Sequence, residues 1–398
     1  MSRFRLLPTA EQEARLLEHC AHARFIWNLA VEQHAHWRPG RPSAPGYVEQ
    51  ARQLTEIRAE HAWLREGSVT VQQQALRDFA KAVTNFFSGT HGRPTWRKAA
   101  VHQGFRQVAV RPEHIQRLNR HNGRVWVPKV GWVRFRWSRP PKDDIKSYRV
   151  TRDRAGRWHV AFAAIPDPIP APGTGRTAGI DRGVAVSAAL STGELLSCPR
   201  LSDNERKRLL RLERRLARAC RGSNRRMTTK RAIARLKAKE SARRRDWTEK
   251  LSTDLARRFD TIRVEDLRIK NMTRSAKGTV KAPGRRVRQK AGLNRGILAQ
   301  GWGVLVSRLE HKAPGRVEKV RAAYTSQQCS VCGQIAPESR KSQAVFQCVA
   351  CNHRCNADVN AAKNIAAGRA VTARRGRASA QPANREPQLT TSAVRRKS

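Results

Sequence analysis

Four cysteines stand as Cys329-x2-Cys332-x15-Cys348-x2-Cys351. Two such pairs at this separation fix the local fold more tightly than any other feature of the chain. Each pair makes a turn that aims two thiolates at one point, and four thiolates close a tetrahedral zinc site. A site with no open position is structural, and one zinc ion stabilises a ribbon too small to build its own core. His353 and Cys355 lie nearby as alternative ligands, but the paired turns favour the first four. Of eight cysteines, five fall between Cys329 and Cys355, while Cys20, Cys198 and Cys220 are scattered. That clustering speaks for metal binding in a reducing, cytoplasmic setting and against a disulfide framework.

Seven residues beyond the last knuckle lies Asp358, in CNADVNAAKNI. Two more acids occur in similarly apolar, element-forming settings: Asp181 in TAGIDRGVAVSAAL and Glu265 in FDTIRVEDL. Carboxylates are scarce here, with 31 Asp and Glu against 81 Lys and Arg and a net charge of +50. A chain so basic repels itself unless a polyanion neutralises it, and nucleic acid is the obvious polyanion. Phosphodiester hydrolysis needs charge stabilised on both the attacking and the leaving oxygen. Two divalent metals about 4 Å apart do this, and carboxylates hold them. Magnesium prefers oxygen ligands and keeps several waters, so three carboxylates suffice. Asp181 and Glu265 each close an apolar strand, and Asp358 opens a helix. A strand-end acid is commonly a turn or cap residue. Three of them on a basic body favour a metal-dependent nuclease, and an RNase H-like fold would bring them together.

The organisation along the chain is α+β and multidomain. A short strand (residues 3–7) precedes a helix opened by Pro8-Thr9, with Thr9 and Gln12 set as a capping box. A second helix is expected from about residue 68 to 87, with Leu76, Phe79, Val83 and Phe86 on one core stripe. Residues 121–165 read as strands turning at Gly131 and Ala155-Gly156, in a small barrel or sheet. Pro-rich residues 166–175 form a linker. Residues 1–170 are thus one β module with a helical insertion over about 9–100, and a second unit runs over 171–325. That unit begins as a meander of three strands, GID, VAVSAAL and LLS. Two Arg-rich helices follow, at about 203–220 and 228–259. Their one sign of charge favours a phosphate-facing surface over a merely solvated one. A basic loop covers 268–290, then one helix carries Ile297, Trp302, Leu305 and Leu309. The ribbon spans 326–354, residues 355–368 return to the second unit, and 369–398 form a basic tail expected to be disordered. The start lacks a secretory apolar region, and no stretch approaches the roughly 18 apolar residues of a membrane span.

At this point the chain resembles the TnpB family, RNA-guided nucleases carried by insertion sequences and related to compact type V CRISPR effectors. The resemblance runs over about residues 4–366, through FRLLPTAEQEARLLEHCAHARFIWN, VQQQALRDFAKAVTNFF, GRPTWRK, WVPKVGWV, RRDWTEKLSTDLARRFDTIRVEDL, YTSQQCSVCG and CNADVNAAKNIAA. It implies a β-barrel wedge domain interrupted by a helical recognition segment, then a RuvC-like domain with a zinc insertion. It implies that Asp181, Glu265 and Asp358 are the catalytic, magnesium-holding acids. It implies a guide RNA and a target DNA as partners, with pairing reading the target beside a short motif. No protein oligomer is required. Two departures stand out: Glu249-Lys250 where the family often has His-Lys, and Pro314 where an uninterrupted helix is expected. Neither touches the acids.

Four further residues are candidates for nucleic-acid contact. Gln73 lies in the stretch that resembles the family's DNA-facing helix, and Gln can pair bidentately with adenine. Trp96, Arg97 and Lys98 could stack on or contact RNA, although Trp96 fits a core position as well. Two alternatives keep the fold but change the role: a compact CRISPR effector, or an RNA-guided DNA-binding repressor that does not cleave. A transposase of the serine or tyrosine type would need a nucleophilic hydroxyl in a defined motif, which the sequence does not offer.

Overall fold

The computed structural model describes residues 2–36, 43–142, 144–164, 167–321 and 323–368. The basic tail therefore lies outside the described residues. The chain opens with β1 (Ser2–Leu7), followed by α1 (Ala10–Ala35), α2 (Tyr47–Glu60), α3 (Ala62–Glu66) and α4 (Val69–Phe87). Six strands come next: β2 (Gly104–Val108), β3 (Ile115–Arg117), β4 (Asn122–Val127), β5 (Gly131–Arg136), β6 (Ser147–Arg152) and β7 (Trp158–Ala163). The sheet order is β2-β6-β7-β1-β5-β4-β3, so the first strand sits in the middle and four helices separate it from its partners. All its pairings are antiparallel. Among the described residues no ladder joins β2 to β3.

Alternation explains why β1 can be central. Phe4 and Leu6 are buried, and the Phe4 ring lies 5.4 Å from both Phe135 and Phe162. Thr9 and Gln12 form the expected capping box. Ser68 caps α4 by accepting from the Val71 amide. Leu76 and Phe79 enter the core, and Phe79 packs edge-on against Trp27. The apolar stripe stops a turn early, however, because Phe86 is exposed beside Phe87 at the helix end.

A second hydrophobic core begins beyond the proline-rich segment. Its elements are β8 (Thr177–Asp181), β9 (Ala188–Leu190), β10 (Leu195–Leu196), α5 (Asp203–Arg218), α6 (Asn224–Arg258), β11 (Thr261–Glu265), α7 (Ile269–Met272), α8 (Val287–Gln300), α9 (Trp302–Lys312) and β12 (Val317–Val320). The strands order as β10-β9-β8-β11-β12, with β8, β11 and β12 parallel and the first two antiparallel. Ser202 and Glu205 make a capping box at α5, and Glu205 ties α5 to α6 through Lys239 at 2.5 Å and Arg243 at 2.6 Å. Leu209, Leu212 and Leu216 are half-buried.

Three expectations change, and one is that the loop expected over 268–290 holds α7 and the first turn of α8. The strand expected over 184–190 shortens to β9, because Ser187 is drawn into hydrogen bonds with Gln300 and the Cys198 amide. The single helix expected through Ile297 to Leu309 is two helices, broken at Gly301, whose φ of 74° is left-handed. Pro314 falls after α9 has ended, so it interrupts nothing.

The last described part is a two-stranded ribbon, β13 (Val345–Gln347) paired with β14 (Arg354–Asn356), running directly into α10 (Ala357–Ala366). No described helix is long and apolar enough to cross a membrane.

Candidate active site

Parallel pairing aligns the first two acids. Ile180 on β8 stands beside Val264 on β11, and one step further the strands end in Asp181 and Glu265. Neighbouring strands lie about 4.8 Å apart, so acids in register leave the sheet side by side. Asp181 keeps an antiparallel partner, Ala189, on its other side. Both strand ends are thus fixed by ladders on each flank.

The third acid arrives on α10, which packs against β8. Gly179 permits that contact: a Cβ there would stand 2.0 Å from the Ala362 carbonyl oxygen and 2.4 Å from the Ala366 nitrogen. Asn356 caps α10, its Oδ1 accepting from the Asp358 amide at 3.0 Å and the Val359 amide at 3.2 Å. Arg263 of β11 holds the other end, donating to the Ala366 carbonyl at 2.6 Å. Asp358 is therefore anchored from both ends of its helix.

Electrostatics follow from this gathering. The Asp181 carboxyl is pushed up to about 7, first by burial and then by the negative charges of Glu265 and Asp358. Burial raises the Asp358 carboxyl too, while Arg340 opposes the rise. Acids close enough to raise Asp181 in a partly dry site favour a counter-charge, and their oxygen donors suit a hard divalent cation.

Cationic neighbours of the acids carried no signal in so basic a sequence. Arg182 is buried, and its guanidinium donates to the Glu265 carbonyl. Arg340 projects from the ribbon to Asp358, with 3.4 Å between Nη2 and Oδ1. The ribbon thus sets one positive charge beside the third carboxylate.

The four ribbon cysteines meet. Their Sγ atoms all lie within 4.8 Å of one another, with Cys329 to Cys351 at 3.7 Å and Cys332 to Cys348 at 3.5 Å. Zinc–sulfur bonds of about 2.3 Å place tetrahedral sulfurs about 3.8 Å apart, so the donor set fits zinc. The Ala350 and Cys351 amides point at the Cys348 sulfur at 3.4 and 3.5 Å, as a thiolate would require. Cys355 lies outside the four and packs beneath them, and His353 is not among them either.

The remaining candidates separate. Gln73 is exposed on α4, whereas Gln72 and Gln74 beside it are buried. Trp96 is 53 % exposed, which removes its core reading. Lys98 is exposed as well. Arg97 is different: its guanidinium stacks 3.5 Å from the Trp27 ring and its amide donates to Asn28 at 2.7 Å. Burial lowers its pKa to about 10. Arg97 is spent inside the fold, on a partner 70 residues away that no local pattern reveals.

These observations define a mixed α/β protein with a clustered acidic site and a four-cysteine candidate zinc site. Comparison with solved structures agrees at the level of fold. A chain titled "Cryo-EM structure of the Cas12f1-sgRNA-target DNA complex" superposes with a TM-score of 0.52 at 16% identity, covering 89% of this chain and 82% of that one. A family described as "Probable transposase" matches residues 159–276, and one described as "Cas12f1-like, TNB domain" matches 302–365. A third, described as "Helix-turn-helix domain", matches residues 2–39; the described part of that stretch holds one strand and one 26-residue helix. The chain is 36% identical over 379 residues to "Putative RNA-guided DNA endonuclease InsQ" of Escherichia coli (strain K12), covering 93% of this chain and 92% of the relative. It is 32% identical over 381 residues to "Putative RNA-guided DNA endonuclease" of Streptomyces pristinaespiralis, with 93% and 90% covered. The chain belongs to the family of these relatives, the TnpB family that its motifs resemble.

Proposed function

We propose that this protein is an RNA-guided DNA endonuclease that cleaves target DNA beside a short recognition motif. The observation that carries the reading is the gathering of Asp181, Glu265 and Asp358 from two adjacent parallel strands and the helix laid across them. The order β10-β9-β8-β11-β12, with two antiparallel strands followed by three parallel ones, supports an RNase H-like, RuvC-type domain. Residues 1–170 are then the wedge domain with its helical recognition insertion, and 326–354 the zinc ribbon. Two magnesium ions held by the three acids would stabilise charge on the attacking and leaving oxygens.

The chain's own residues do the positioning. The β8–β11 ladder fixes two carboxylates in register. Asn356 and Arg263 fix the helix that bears the third. Guide pairing reads the sequence, while the basic body binds phosphates without reading bases. Gln73, Trp96 and Lys98 are exposed where nucleic acid could be touched.

The test uses the protein purified with guide RNA transcribed from its native flanking DNA. Asp181→Ala, Glu265→Ala and Asp358→Ala should each abolish target cleavage and leave guide-RNA binding intact. Retained cutting by any one of them would remove that residue from the site, and retained cutting by all three would remove the nuclease reading. A second reading, a compact CRISPR effector, has one local observation behind it. A 51-residue stretch is 53% identical to "CRISPR-associated endodeoxyribonuclease Cas12f1" of Sulfoacidibacillus thermotolerans, over 13% of this chain. The scaffold of the copurifying RNA, transposon end or CRISPR repeat, separates the two.

A further inference from the structure

Between β12 and the first cysteine knuckle runs a short segment whose backbone is bound from one side by α10. Asn364 Nδ2 donates to the Thr325 carbonyl at 3.0 Å and to the Gln328 carbonyl at 2.7 Å. Asn360, one turn earlier, donates to the same Gln328 carbonyl at 2.6 Å and accepts from the Ser330 amide at 3.0 Å. Residues four apart share one helix face, so the two asparagines form a two-point staple. Both are buried. Their partners lie within a few residues of Cys329, so zinc-knuckle backbone and acid-bearing helix are fastened as one piece.

Thr325 stands at the start of this segment and turns its side chain toward the acids. It is 2 % exposed, and its Oγ1 lies 2.9 Å from Glu265 Oε1. The hydroxyl donates and the carboxylate accepts. A donor on one carboxylate oxygen fixes the rotation of the group and selects which oxygen faces the metal.

We propose that Thr325 is a positioning residue for Glu265, and that the Asn360–Asn364 staple places its hydroxyl in register with Asp358. The second and third acids are then coupled through the zinc knuckle's own backbone. The inference rests on the reading of the three acids as a divalent-metal site. Thr325 acts through Glu265.

The experiment compares Thr325→Ser with Thr325→Ala in the intact ribonucleoprotein. The two variants differ by one oxygen in the same small volume, so packing loss is common to both. Manganese binding is read by electron paramagnetic resonance of the free ion, alongside zinc content, melting temperature and the magnesium dependence of cleavage. Loss of a partner to a metal-bound group costs about tenfold to a hundredfold in metal affinity. The expected result is that Thr325→Ser binds manganese like the parent protein while Thr325→Ala binds it about tenfold or more weakly, both with full zinc. The half-saturating magnesium concentration for cleavage should rise in step for Thr325→Ala. Equal manganese affinity in the two variants would overturn the proposal, as would a loss in Thr325→Ala that tracks lost zinc. Asp181→Ala is the separating control. If it too binds manganese like the parent, the acid site itself is misread; if it loses manganese while the two Thr325 variants match, only the role of Thr325 falls.

Discussion

Gly179→Ala puts the whole construction of the site under one methyl group. Gly179 sits mid-strand on β8, and its φ is not in the left-handed region, so alanine costs nothing in backbone conformation there. Space alone forbids it. The added Cβ would meet the Ala362 oxygen at 2.0 Å, the Ala366 nitrogen at 2.4 Å and the Ala366 Cα at 2.9 Å. All three atoms are backbone of α10, so no side chain can swing aside. Restoring ordinary contact requires α10 to retreat by about 1.4 Å. Overpacking of this kind costs about 1–3 kcal/mol in stability. Because Asp358 rides on the same helix, a displacement of about 1 Å at the reacting centre lowers the rate about a hundredfold. The assay is single-turnover cleavage of a matched target by the guide-loaded protein, with zinc content and melting temperature measured in parallel. Gly292→Ala on α8 is the control, since nothing lies within 4 Å of its new Cβ; it should be neutral or stabilise by up to about 1 kcal/mol. Wild-type cleavage by a folded, zinc-replete Gly179→Ala protein would refute the close seating of α10 on β8.

The ribbon, the acids and the exposed tryptophan carry the other expectations. Removing zinc with a chelator, or Cys329→Ser, should unfold the ribbon and cut activity through the loss of Arg340 beside Asp358, visible as a lower-temperature step in calorimetry. Asp181 holds its proton up to about pH 7 in the metal-free site, because burial and two neighbouring acids favour the neutral form. A cation must displace that proton, so the half-saturating magnesium concentration should rise as pH falls through 7, and metal-free protein should gain stability over the same descent; a flat magnesium requirement from pH 6 to 8 would contradict this. Trp96→Ala should leave the melting temperature unchanged yet weaken guide-RNA or DNA binding by about 1–3 kcal/mol if the ring stacks on a base. Arg97→Ala should do the reverse, losing about 0.5–2 kcal/mol of stability with its seat on Trp27.

Much of the candidate site was legible because its signals are local. An acid that ends an apolar strand, a cap residue before a helical run and a Cys-x2-Cys turn are each written within a few residues. Asp181, Glu265, Asp358 and the four cysteines all fall in such settings. The break at Gly301 was half legible: Ile297 and Trp302 are five apart, a spacing that suits neither three nor four along one helix face. What stayed hidden depends on distant partners. Arg97 looks like any of 62 arginines until Trp27 is folded beneath it. Arg182 and Arg340 were lost in the same excess. Thr325 lies inside the YTSQQCSVCG motif, but nothing local points it at Glu265, because that bond forms only when β11 and the segment before the knuckle are brought together.

The central place of β1 also sets an order in time. Residues 2–7 are made well before their partners, β5 and β7, which end at Arg136 and Ala163. At roughly 5–20 residues per second, the strand waits about 8–30 seconds for its neighbours during synthesis. Through that interval Phe4 and Leu6 have neither β5 nor β7 to pack against. Closure of the first core is therefore a late, long-range event in the life of the nascent chain. Chaperone dependence should track that waiting time, growing when translation between residues 8 and 163 is slowed.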